Sequence, residues 1–419
     1  MRSHGLISAL VALGCLTTAA AAQNGSARRV SADIGFLAAD AREGRGVGTA
    51  GLDAAANYLA QEFARIGLSQ PWDHGYFQEF TIDSTAAMAA HAGIGGAAVK
   101  NVVGVLPGRG PLAGQVVILG AHYDHLGRGG AGMGSLDADS VGVIHNGADD
   151  NASGTAALLE AARLLRGRLQ GDRRTIVFVA FTAEEEGLIG SGWYVQHSLH
   201  PTDSTIAMIN FDMVGRLRDG RLLALGAETA PEFPALLDSI NAKHGFDLKA
   251  SGDGWGRSDH ASFYADSIPV IHFFTDLHDQ YHRVSDDADL INTAGIAKVA
   301  AYAADLTIAL ATRPAPPTYV SIPRPVIASG NRASLGTIPD MASSPGGVRL
   351  SGVREGTPAA VAGIQAGDII IRIGDHTIKD LNEMQNALTS YKPGDVVTVV
   401  VRRGEEEKSF TVTLGGRSE

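Results

Sequence analysis

The sequence predicts an α/β protein with a mixed, mostly parallel sheet flanked by helices, followed by a small β-rich domain. Along residues 23–310, short apolar runs bounded by turns alternate with segments of helical periodicity, which is typical of a parallel sheet covered on both faces. A proline-dense stretch interrupts this pattern, and short runs of strand-forming residues follow it. With 419 residues, the chain is long enough for two domains.

The first predicted helix covers residues 52–66, where apolar residues recur at helical spacing and Gly67 provides a stop signal. The predicted buried strands are, in order, Val116–Leu119, Thr175–Phe181, Ile206–Phe211 and Pro269–Phe274. Amphipathic helices are predicted at Thr155–Leu165 and Ile291–Leu310. Strands alternating with helices favour parallel pairing with the carboxyl ends of the strands at one edge.

Five prolines within Arg313–Pro325 predict an extended, semi-rigid linker. Beyond the linker, short strands are predicted at Val348–Leu350, Ile369–Ile373, Val396–Val401 and Ser409–Leu414, with a helix near Leu381–Leu388. The predicted organisation is therefore a targeting segment at residues 1–22, a first domain at 23–312, a linker at 313–327 and a second domain at 328–419.

The N-terminal segment has the pattern of a secretory signal peptide. Arg2 supplies a short positive region, the apolar stretch 6–16 is too short to span a bilayer, and residues 20–22 are three alanines that suit cleavage. We therefore predict a secreted or periplasmic protein with no stable membrane span. The alternative is a lipoprotein signal that modifies Cys15, but the residue three before it is Ala12 rather than Leu.

Composition and charge exclude several classes of protein. Hydrophobic residues make up 45% of the chain and charged residues 19%, as in globular rather than disordered proteins. The formal net charge of −11 disfavours non-specific binding of nucleic acid, which needs a basic surface. The single cysteine permits neither an intramolecular disulfide nor a cysteine-based zinc site. Any metal must therefore be held by His, Asp and Glu.

Acidic and histidine residues follow the ends of the predicted strands, where open parallel sheets bind ligands. In chain order these residues are His122, Asp124, Asp150, Glu184 to Glu186, Asp212 and His282. Three consecutive glutamates after a buried strand repel one another unless water or cations neutralise them. Taken singly, each cluster has another interpretation: a His near an Asp is a weak signal, the turn around Asp150 can be a helix N-cap, and a charge run can be a solvated face.

Taken together, the clusters indicate a metal site. Two imidazoles and three carboxylates suit zinc, and their five residues are His122, Asp150, Glu185, Asp212 and His282. Two Zn²⁺ ions, three carboxylates and one bridging hydroxide would together be neutral. Glu184, adjacent to one of these ligands, would remain free to accept a proton.

The same residues lie in motifs that occur in a characteristic order. The motifs are Glu43–Gly46 with Gly51, His122–Asp124, Gly147–Gly154, Glu184–Leu188, Asn210–Met213, Ser258–His260 and Tyr281–His282. This ordered set resembles the co-catalytic di-zinc aminopeptidases, a group of zinc exopeptidases that also includes glutamate carboxypeptidase and the transferrin receptor. The resemblance covers residues 33–310 and implies the phosphorylase/hydrolase-like fold of the zinc exopeptidases.

The resemblance implies two zinc ions per chain. It implies that His122 and Asp212 hold one ion, that Glu185 and His282 hold the other, and that Asp150 bridges both, with a cis peptide bond after Asp150. Every ligand position is filled by a competent residue, which disfavours an inactive relative of the transferrin-receptor type. The protease-associated insert of longer relatives has no room in this chain.

The resemblance also implies roles around the ligands. Asp124 would orient His122, and Glu184 would be the general base. Substrate contacts are expected from Asp259, His260 and Tyr281. The Gly- and Asp-rich segment 127–145 is expected to form a flap.

The second domain resembles a PDZ domain of the bacterial type. The matching motifs are Gly356–Ala360, Ala362–Ile364, Ala366–Ile370 and Lys392–Asp395. Ser334, Leu335, Gly336 and Thr337 are predicted to form the loop whose amides receive a peptide C-terminus, with the peptide added as a strand. The alternative is a domain that packs against its own enzyme without binding a ligand.

The sequence therefore predicts a secreted zinc aminopeptidase that removes N-terminal residues from peptides. Two zinc ions would activate a shared water, and Glu184 would accept its proton and deliver it to the leaving amine. The alternatives are a carboxypeptidase or a mono-zinc glutaminyl cyclase with the same ligands, or a secreted peptide-binding protein that acts through its PDZ domain. The metal count and a panel of free and N-blocked peptides distinguish the enzymes, and alanine at Glu185 would not affect a binding protein.

Overall fold

The computed structural model describes residues 24–85, 87–129, 134–137, 140–324, 333–341 and 346–416. The predicted signal peptide at residues 1–22 lies outside the described residues. Parts of the predicted flap at 127–145 and of the predicted linker at 313–327 also lie outside them.

The first domain is built on eight strands and eight helices among the described residues. The strands are β1 (Phe77–Thr81), β2 (Ala98–Leu106), β3 (Val116–His122), β4 (Thr175–Phe181), β5 (Thr205–Phe211), β6 (Arg221–Leu225), β7 (Asp247–Ser251) and β8 (Val270–Phe274). The helices are α1 (24–37), α2 (Ala50–Ile66), α3 (Ala87–Ala92), α4 (Gly154–Arg168), α5 (Ile189–Gln196), α6 (Phe233–His244), α7 (His260–Ala265) and α8 (Thr293–Thr312).

These strands form one mixed sheet in the order β1-β2-β4-β3-β5-β8-β6-β7. The four central strands, β4, β3, β5 and β8, are parallel neighbours, whereas β1, β2 and the β6–β8 pairing are antiparallel. The predicted α/β class is therefore confirmed. Since the central strands are parallel, their carboxyl ends lie side by side at one edge.

Both faces of the central sheet are covered, as the uninterrupted apolar runs predicted. Every residue of β3, β4 and β5 is buried, and alternate residues of β3 and β4 belong to two different hydrophobic clusters. Helices α4 and α8 pack together over one face. Among the described residues, α8 alone is long and apolar enough to cross a membrane. However, 67% of its most apolar stretch is buried in the fold, as in a core helix.

The predicted central strands match the observed strands closely, and the peripheral ones were missed. Strand β3 continues three residues beyond the predicted Leu119, as far as His122. Strands β1, β2, β6 and β7 were not predicted from the sequence. Strands β1 and β7 carry alternating or half-buried residues because they lie at the sheet edges, so they lack the continuous apolar run that identified the central strands.

The second domain is a small antiparallel β structure with its own core. Its strands are β9 (Ala333–Ser334), β10 (Thr337–Pro339), β11 (Val348–Val353), β12 (Ile369–Ile373), β13 (His376–Thr377), β14 (Val396–Arg403), β15 (Glu406–Thr413) and β16 (Gly415–Gly416). Its helices are α9 (Pro358–Ala362) and α10 (Leu381–Thr389). The main sheet has the order β10-β11-β12-β14-β15, which leaves β10 at one edge.

The described part of the linker, residues 313–324, has no regular secondary structure and lies along the first domain. The Val320 amide donates to the carbonyl of Thr229, and the Trp255 indole donates to the carbonyl of Ile322. The Tyr264 hydroxyl donates to the Val320 carbonyl. The described part of this segment is fixed to the first domain by these hydrogen bonds, and its predicted extended conformation stays a prediction.

Candidate metal centre

The predicted ligands are brought together at the carboxyl edge of the central strands. His122 is the last residue of β3, Asp212 follows β5 directly, and Glu185 lies four residues after β4. Asp150 lies in the irregular turn that precedes α4, and His282 lies in the loop after β8. Because β3, β4, β5 and β8 are parallel neighbours, their ends deliver these side chains to one cleft.

The five side chains form two clusters that share Asp150. His122 Nε2 lies 3.4 Å from Asp150 Oδ1 and 3.5 Å from Asp212 Oδ1. His282 Nε2 lies 3.1 Å from Asp150 Oδ2 and 3.1 Å from Glu185 Oε2. Each carboxylate oxygen of Asp150 therefore faces a different histidine. Ligand atoms about 2.0–2.1 Å from a tetrahedral zinc ion lie about 3.3 Å apart, so both clusters have the spacing of a cation site.

Two buried polar atoms in the first cluster have no protein partner. His122 Nε2 and Asp212 Oδ1 are inaccessible to water and make no hydrogen bond with the described residues. Unsatisfied buried polar atoms are costly in folded proteins. A cation between them would satisfy both, so the donor set fits a divalent metal.

His125, which the sequence analysis gave no role, contacts the second cluster. Its Nδ1 atom lies 2.6 Å from Glu185 Oε1, and its ring stands edge-on to that of His282 with centroids 5.8 Å apart. His125, Asp150 and Glu185 also place ligand atoms within 4.8 Å of one another. Glu185 thus directs one oxygen to His282 and Asp150 and the other to His125. The only sequence signal was its position directly after Asp124.

Asp124 lies behind both clusters. Its Oδ1 atom is 3.7 Å from His122 Nδ1, too far for a hydrogen bond, whereas the backbone carbonyl of Asp124 is 3.3 Å from the same nitrogen. Its Oδ2 atom accepts a hydrogen bond from the Glu185 amide at 3.3 Å. Asp124 therefore contacts a residue of each cluster, and its expected role of orienting His122 stays a prediction.

Glu184 is buried beside the first cluster, with Oε2 3.9 Å from His122 Nε2. Burial raises the pKa of Glu184 well above its usual range; His122 opposes this shift, and the carboxylates of Glu185, Asp259 and Asp212 add to it. By contrast, although burial and Asp150 act to raise it, His282 and His125 lower the pKa of Glu185 to about 2. The surroundings therefore act differently on the two adjacent glutamates, since the pKa of Glu184 is raised and that of Glu185 is lowered.

Asp286, another residue without a predicted role, supports the turn that carries Asp150. Its Oδ2 atom accepts hydrogen bonds from the amides of Asp149 at 2.8 Å and Asp150 at 3.0 Å, and Arg216 donates to Oδ1 at 3.0 Å. The Asn151 side chain donates to the carbonyl at the end of β5. The peptide bond after Asp150 is cis, as the resemblance implies.

Arg45 explains the N-terminal motif. Its guanidinium is fully buried and donates to four backbone carbonyls, those of Leu37, Tyr123, Asn146 and Gly147. Gly44 has a φ of +63°, and a Cβ there would lie 2.3 Å from the carbonyl oxygen of Gly127. The motif therefore joins the segment after β3 to the turn before Asp150.

The loop that carries His282 is held by the described part of the segment 127–145. His282 Nδ1 lies 2.9 Å from the Gly134 carbonyl, and the Leu136 amide donates to the His282 carbonyl at 2.9 Å. The Asp137 carboxylate accepts from Arg283 and from the Val284 amide. The segment thus covers and orients the second cluster, while its movement as a flap stays a prediction.

Left-handed backbone conformations occur next to several of these residues. Ala183, Met213 and His282 have φ values of 53°, 49° and 56°, respectively. Ala183 precedes Glu184, and Met213 follows Asp212. Such conformations cost non-glycine residues of the order of 1–3 kcal/mol and persist where the surroundings enforce them, commonly at functional sites.

The three residues expected to contact substrate differ in exposure. Asp259 is fully buried, neither of its carboxylate oxygens has a hydrogen-bond partner among the described residues, and burial raises its pKa to about 7. His260 is also buried; its ring stacks on His272, and burial lowers its pKa to about 3. Tyr281 is half-buried and stacks on His282. Tyr281 is therefore the most accessible of the three, and Asp259 and His260 lie beneath the cleft.

In the second domain, the predicted carboxylate loop precedes the edge strand β10. The Leu335 side chain is buried in the domain core, and its carbonyl accepts a hydrogen bond from the Ala359 amide at 2.9 Å. The Gly336 amide donates to Ser334 Oγ at 3.1 Å, and Gly336 has a φ of +74°. A Cβ at Gly336 would lie 2.2 Å from that of Thr357, so the turn requires glycine.

Comparison with known proteins identifies two family matches. Residues 101–307 match the model of peptidase family M28, and residues 333–414 match that of the PDZ domain. The chain is 32% identical over 182 residues to leupeptin-inactivating enzyme 1 of Streptomyces exfoliatus, covering 43% of this chain and 36% of that protein. It is 28% identical over 205 residues to aminopeptidase YwaD of Bacillus subtilis, covering 46% and 40%. The chain thus spans well under half the length of both relatives.

Solved structures share the fold of the first domain. A zinc aminopeptidase from Bacillus subtilis superposes with a TM-score of 0.55 at 18% identity, covering 69% of this chain and 95% of that one. A glutaminyl cyclase from Bacteroides thetaiotaomicron superposes with a TM-score of 0.53 at 20% identity, covering 68% and 97%. At these identities the likeness establishes the fold, and two different chemistries use it.

Proposed function

Because the chain carries a peptidase family M28 domain followed by a PDZ domain, we propose that it is an exported, zinc-dependent aminopeptidase that releases N-terminal residues from peptides. The observation that carries this proposal is the shared carboxylate of Asp150, whose two oxygens face His122 and His282 separately. A bridging carboxylate is the arrangement that two neighbouring cations require. The name of the similar Bacillus subtilis aminopeptidase supports the reaction.

In this proposal His122 and Asp212 hold one zinc ion, Glu185 and His282 hold the other, and Asp150 contacts both. When bound, the two ions would lower the pKa of a water molecule and polarise the scissile carbonyl. His125 would then hold the free oxygen of Glu185, since it lies 2.6 Å from that atom.

Glu184 would move the proton. It is buried beside His122, and the cations of the proposed site would oppose the burial that raises its pKa, so its carboxylate would accept a proton from the attacking water and return it to the leaving amine. Asp124 would hold the two clusters in a fixed relative position, because it contacts His122 and the Glu185 amide. The chain needs no Ser or Cys nucleophile for this reaction.

The proposal is tested with a panel of aminoacyl chromogenic substrates, with and without a chelator, alongside the zinc content of the purified chain. We expect hydrolysis that requires a free amino group, is lost on chelation and returns with zinc, at two ions per chain. Turnover of N-blocked peptides with release of the C-terminal residue would indicate a carboxypeptidase instead. Cyclisation of N-terminal glutamine with one ion per chain would indicate a glutaminyl cyclase.

We further propose that residues 1–22 direct export, and that Ser334 to Thr337 receive a peptide C-terminus. The N-terminal sequence of the mature protein tests the first proposal, with cleavage expected close to Ala22. Lipidation of Cys15 would replace cleavage after the alanines.

A further inference from the structure

The second domain is joined to the first at the end of strand β10. Asp340, the residue after β10, is buried, and both of its carboxylate oxygens lie within 2.6 Å of Arg221 Nη2. Arg221 is the first residue of β6 in the peptidase domain. A second contact lies beside it, where the Ser351 hydroxyl donates to Asp276 Oδ2 at 3.3 Å. We call these contacts, together with those of Met341, the seam.

Met341 places the seam next to the metal centre. It packs against the buried apolar cluster of Met213, Leu223 and Phe274 in the peptidase domain, and Tyr281 packs against the same cluster. Met213 follows the predicted ligand Asp212, and Tyr281 precedes the predicted ligand His282 and stacks on its ring. The end of β10 therefore lies close to the predicted metal centre, on a cluster shared with Met213 and Tyr281, the sequence neighbours of Asp212 and His282.

Strand β10 also has a free edge. It lies at the end of its sheet, where it pairs with β11, and within the described parts of the chain no strand pairs with its outer edge. An exposed edge is a template for an added strand. Pro339 lacks an N–H group, so the pairing there uses its carbonyl alone. The loop Ser334–Thr337, which would receive a carboxylate, leads directly into this strand.

We propose that β10 binds the C-terminal segment of the same peptide whose N-terminus lies at the metal centre. The proposal rests on the proposed aminopeptidase function. A peptide whose carboxylate lies at Ser334–Thr337 and which adds antiparallel to β10 runs from that loop toward Asp340. Its upstream residues therefore emerge at the seam, beside Met341. This is the polarity that an aminopeptidase needs, because the free N-terminus is directed to the cleft.

The arrangement defines the substrate class. Binding of the C-terminus makes the arrival of the N-terminus intramolecular and raises its effective concentration at the metal centre. The favoured substrates are oligopeptides that have a free carboxylate and are long enough to reach from the loop to the cleft. Each cleavage shortens the peptide, so the advantage ends once the remaining chain cannot span the distance.

The test compares peptides that differ only at the C-terminus. Pairs with a free carboxylate or an amide, from about two to about twelve residues long, span up to about 40 Å when extended at about 3.3 Å per residue. We expect the acid-to-amide ratio of kcat/KM to be near one for the shortest pairs and to rise to about tenfold or more above a threshold length. A ratio near one at every length overturns the proposal.

Aminoacyl chromogenic substrates, run in parallel, separate the two proposals. If these substrates are hydrolysed while the ratio stays at one, the aminopeptidase stands and the same-peptide arrangement fails. If they are not hydrolysed, the proposed function fails, and the arrangement that rests on it fails as well. An N-acetylated peptide acid added in trans should raise KM for the long acid peptides and not for the chromogenic substrates.

Charge reversal at the seam provides the matched variants. Arg221→Asp or Asp340→Arg alone should separate the domains and reduce the acid-to-amide ratio of a long peptide toward one. The double variant restores opposite charges and should restore the ratio. If the single variants keep the full ratio, the seam does not direct the peptide. If a peptide acid binds more tightly than its amide but the two are hydrolysed equally, the domain captures a separate protein, which also overturns the proposal.

Discussion

The buried carboxylates of the two domains are neutralised differently. In the PDZ domain, Asp368 is fully buried and accepts hydrogen bonds from Arg403 Nε at 2.6 Å and Nη2 at 2.7 Å. At the metal centre, no arginine or lysine contacts Asp150, Glu184 or Glu185 among the described residues. The guanidinium of Arg45 is close by, but its four hydrogen bonds all go to backbone carbonyls.

The same contrast occurs within the peptidase domain. Away from the cleft, buried Asp33 and Glu62 are both paired with Arg163, at 2.7 and 2.8 Å. The fold therefore supplies guanidinium partners where buried acids are structural. It omits them where several acids converge at the strand ends, and histidines stand in their place. Convergent acids without cationic side chains identify a site for a cation more firmly than any single motif does.

The largest expected effect comes from Glu184→Gln, which removes one acid without removing a predicted ligand. We expect kcat to fall by about 10²–10⁴-fold, because proton transfer is lost, while two zinc ions stay bound. Steady-state kinetics and metal analysis measure the two effects. Glu186→Gln is the matched control, because it makes the same exchange of a buried acid for an amide in the same loop, at a residue with no expected role in proton transfer. Near-normal turnover of Glu184→Gln would refute its role as base.

Metal removal should destabilise the peptidase domain and spare the PDZ domain. Without cations, the acids at the cleft repel one another, and the stabilisation from binding is lost, about 4 kcal/mol for an ion at a thousand times its Kd. All three tryptophans, at positions 72, 193 and 255, lie in the first domain, so their fluorescence reports its unfolding alone. If the thermal unfolding transition reported by tryptophan fluorescence is unchanged after chelation, the acids of the peptidase domain do not depend on bound cations, and the contrast with the PDZ domain fails.

His125→Phe should weaken one of the two metal sites selectively. The variant keeps a ring at this position and removes the atom that contacts Glu185 Oε1, so we expect about 10–100-fold weaker binding of the second zinc and unchanged binding of the first. Competition with a chromogenic chelator resolves the two affinities. His125→Gln retains an N–H donor and should recover part of the loss. Equal weakening of both sites would show that the ring acts through packing.

The smallest effect is expected from Asp368→Asn, which leaves the metal centre untouched. Burial acts to raise the pKa of Asp368, but the bonds from Arg403 and the Gln365 amide lower it below its usual value overall. A lowered pKa contributes stability above about pH 4, the unfolded value, and this contribution disappears as the pH falls through the folded value. At pH 7 we expect a loss of about 1–2 kcal/mol in the free energy of unfolding.

Hydrogen exchange of PDZ amides as a function of pH measures this loss. The difference between Asp368→Asn and the unaltered chain should shrink as the pH falls below about 4. Asp375→Asn, at an exposed position of the same domain, is the control and should change little. A difference that is independent of pH would mean that Asp368 stabilises the domain by shape rather than by charge.

The sequence predicted the parts of the site that depend on the sheet. The apolar runs of β3, β4, β5 and β8 predicted a parallel sheet, whose strands end at one edge. His122 and Asp212 lie at the ends of two of these strands, so the convergence of the two side chains could be inferred. Strands β11, β12, β14 and β15 of the PDZ domain were predicted for the same reason, whereas the short strands β9, β10, β13 and β16 were missed. Strand β15 begins at Glu406 and not at Ser409, because pairing with β14 continues through charged residues.

The parts that depend on long-range placement were missed. Asp286 is 136 positions from Asp150 and is separated from it by most of the sheet, so no local pattern links the two. His125 directs its ring toward Glu185 only because the chain turns after β3. The Asp340–Arg221 ion pair of the seam joins two charged residues of types that are common on protein surfaces. Nothing in the neighbouring sequence distinguishes these two residues from other charged residues of the chain.

The proline-rich segment 313–324 has a practical consequence for dissecting the molecule. Its backbone supplies partners to Trp255 and Tyr264, and Arg324 lies over the Trp255 ring. A protein truncated after residue 312 would lack this segment and would expose the side chains of Trp255 and Tyr264 to water. A self-standing catalytic fragment should therefore keep this segment through residue 324, and a protease should find few cleavage points within residues 313–324.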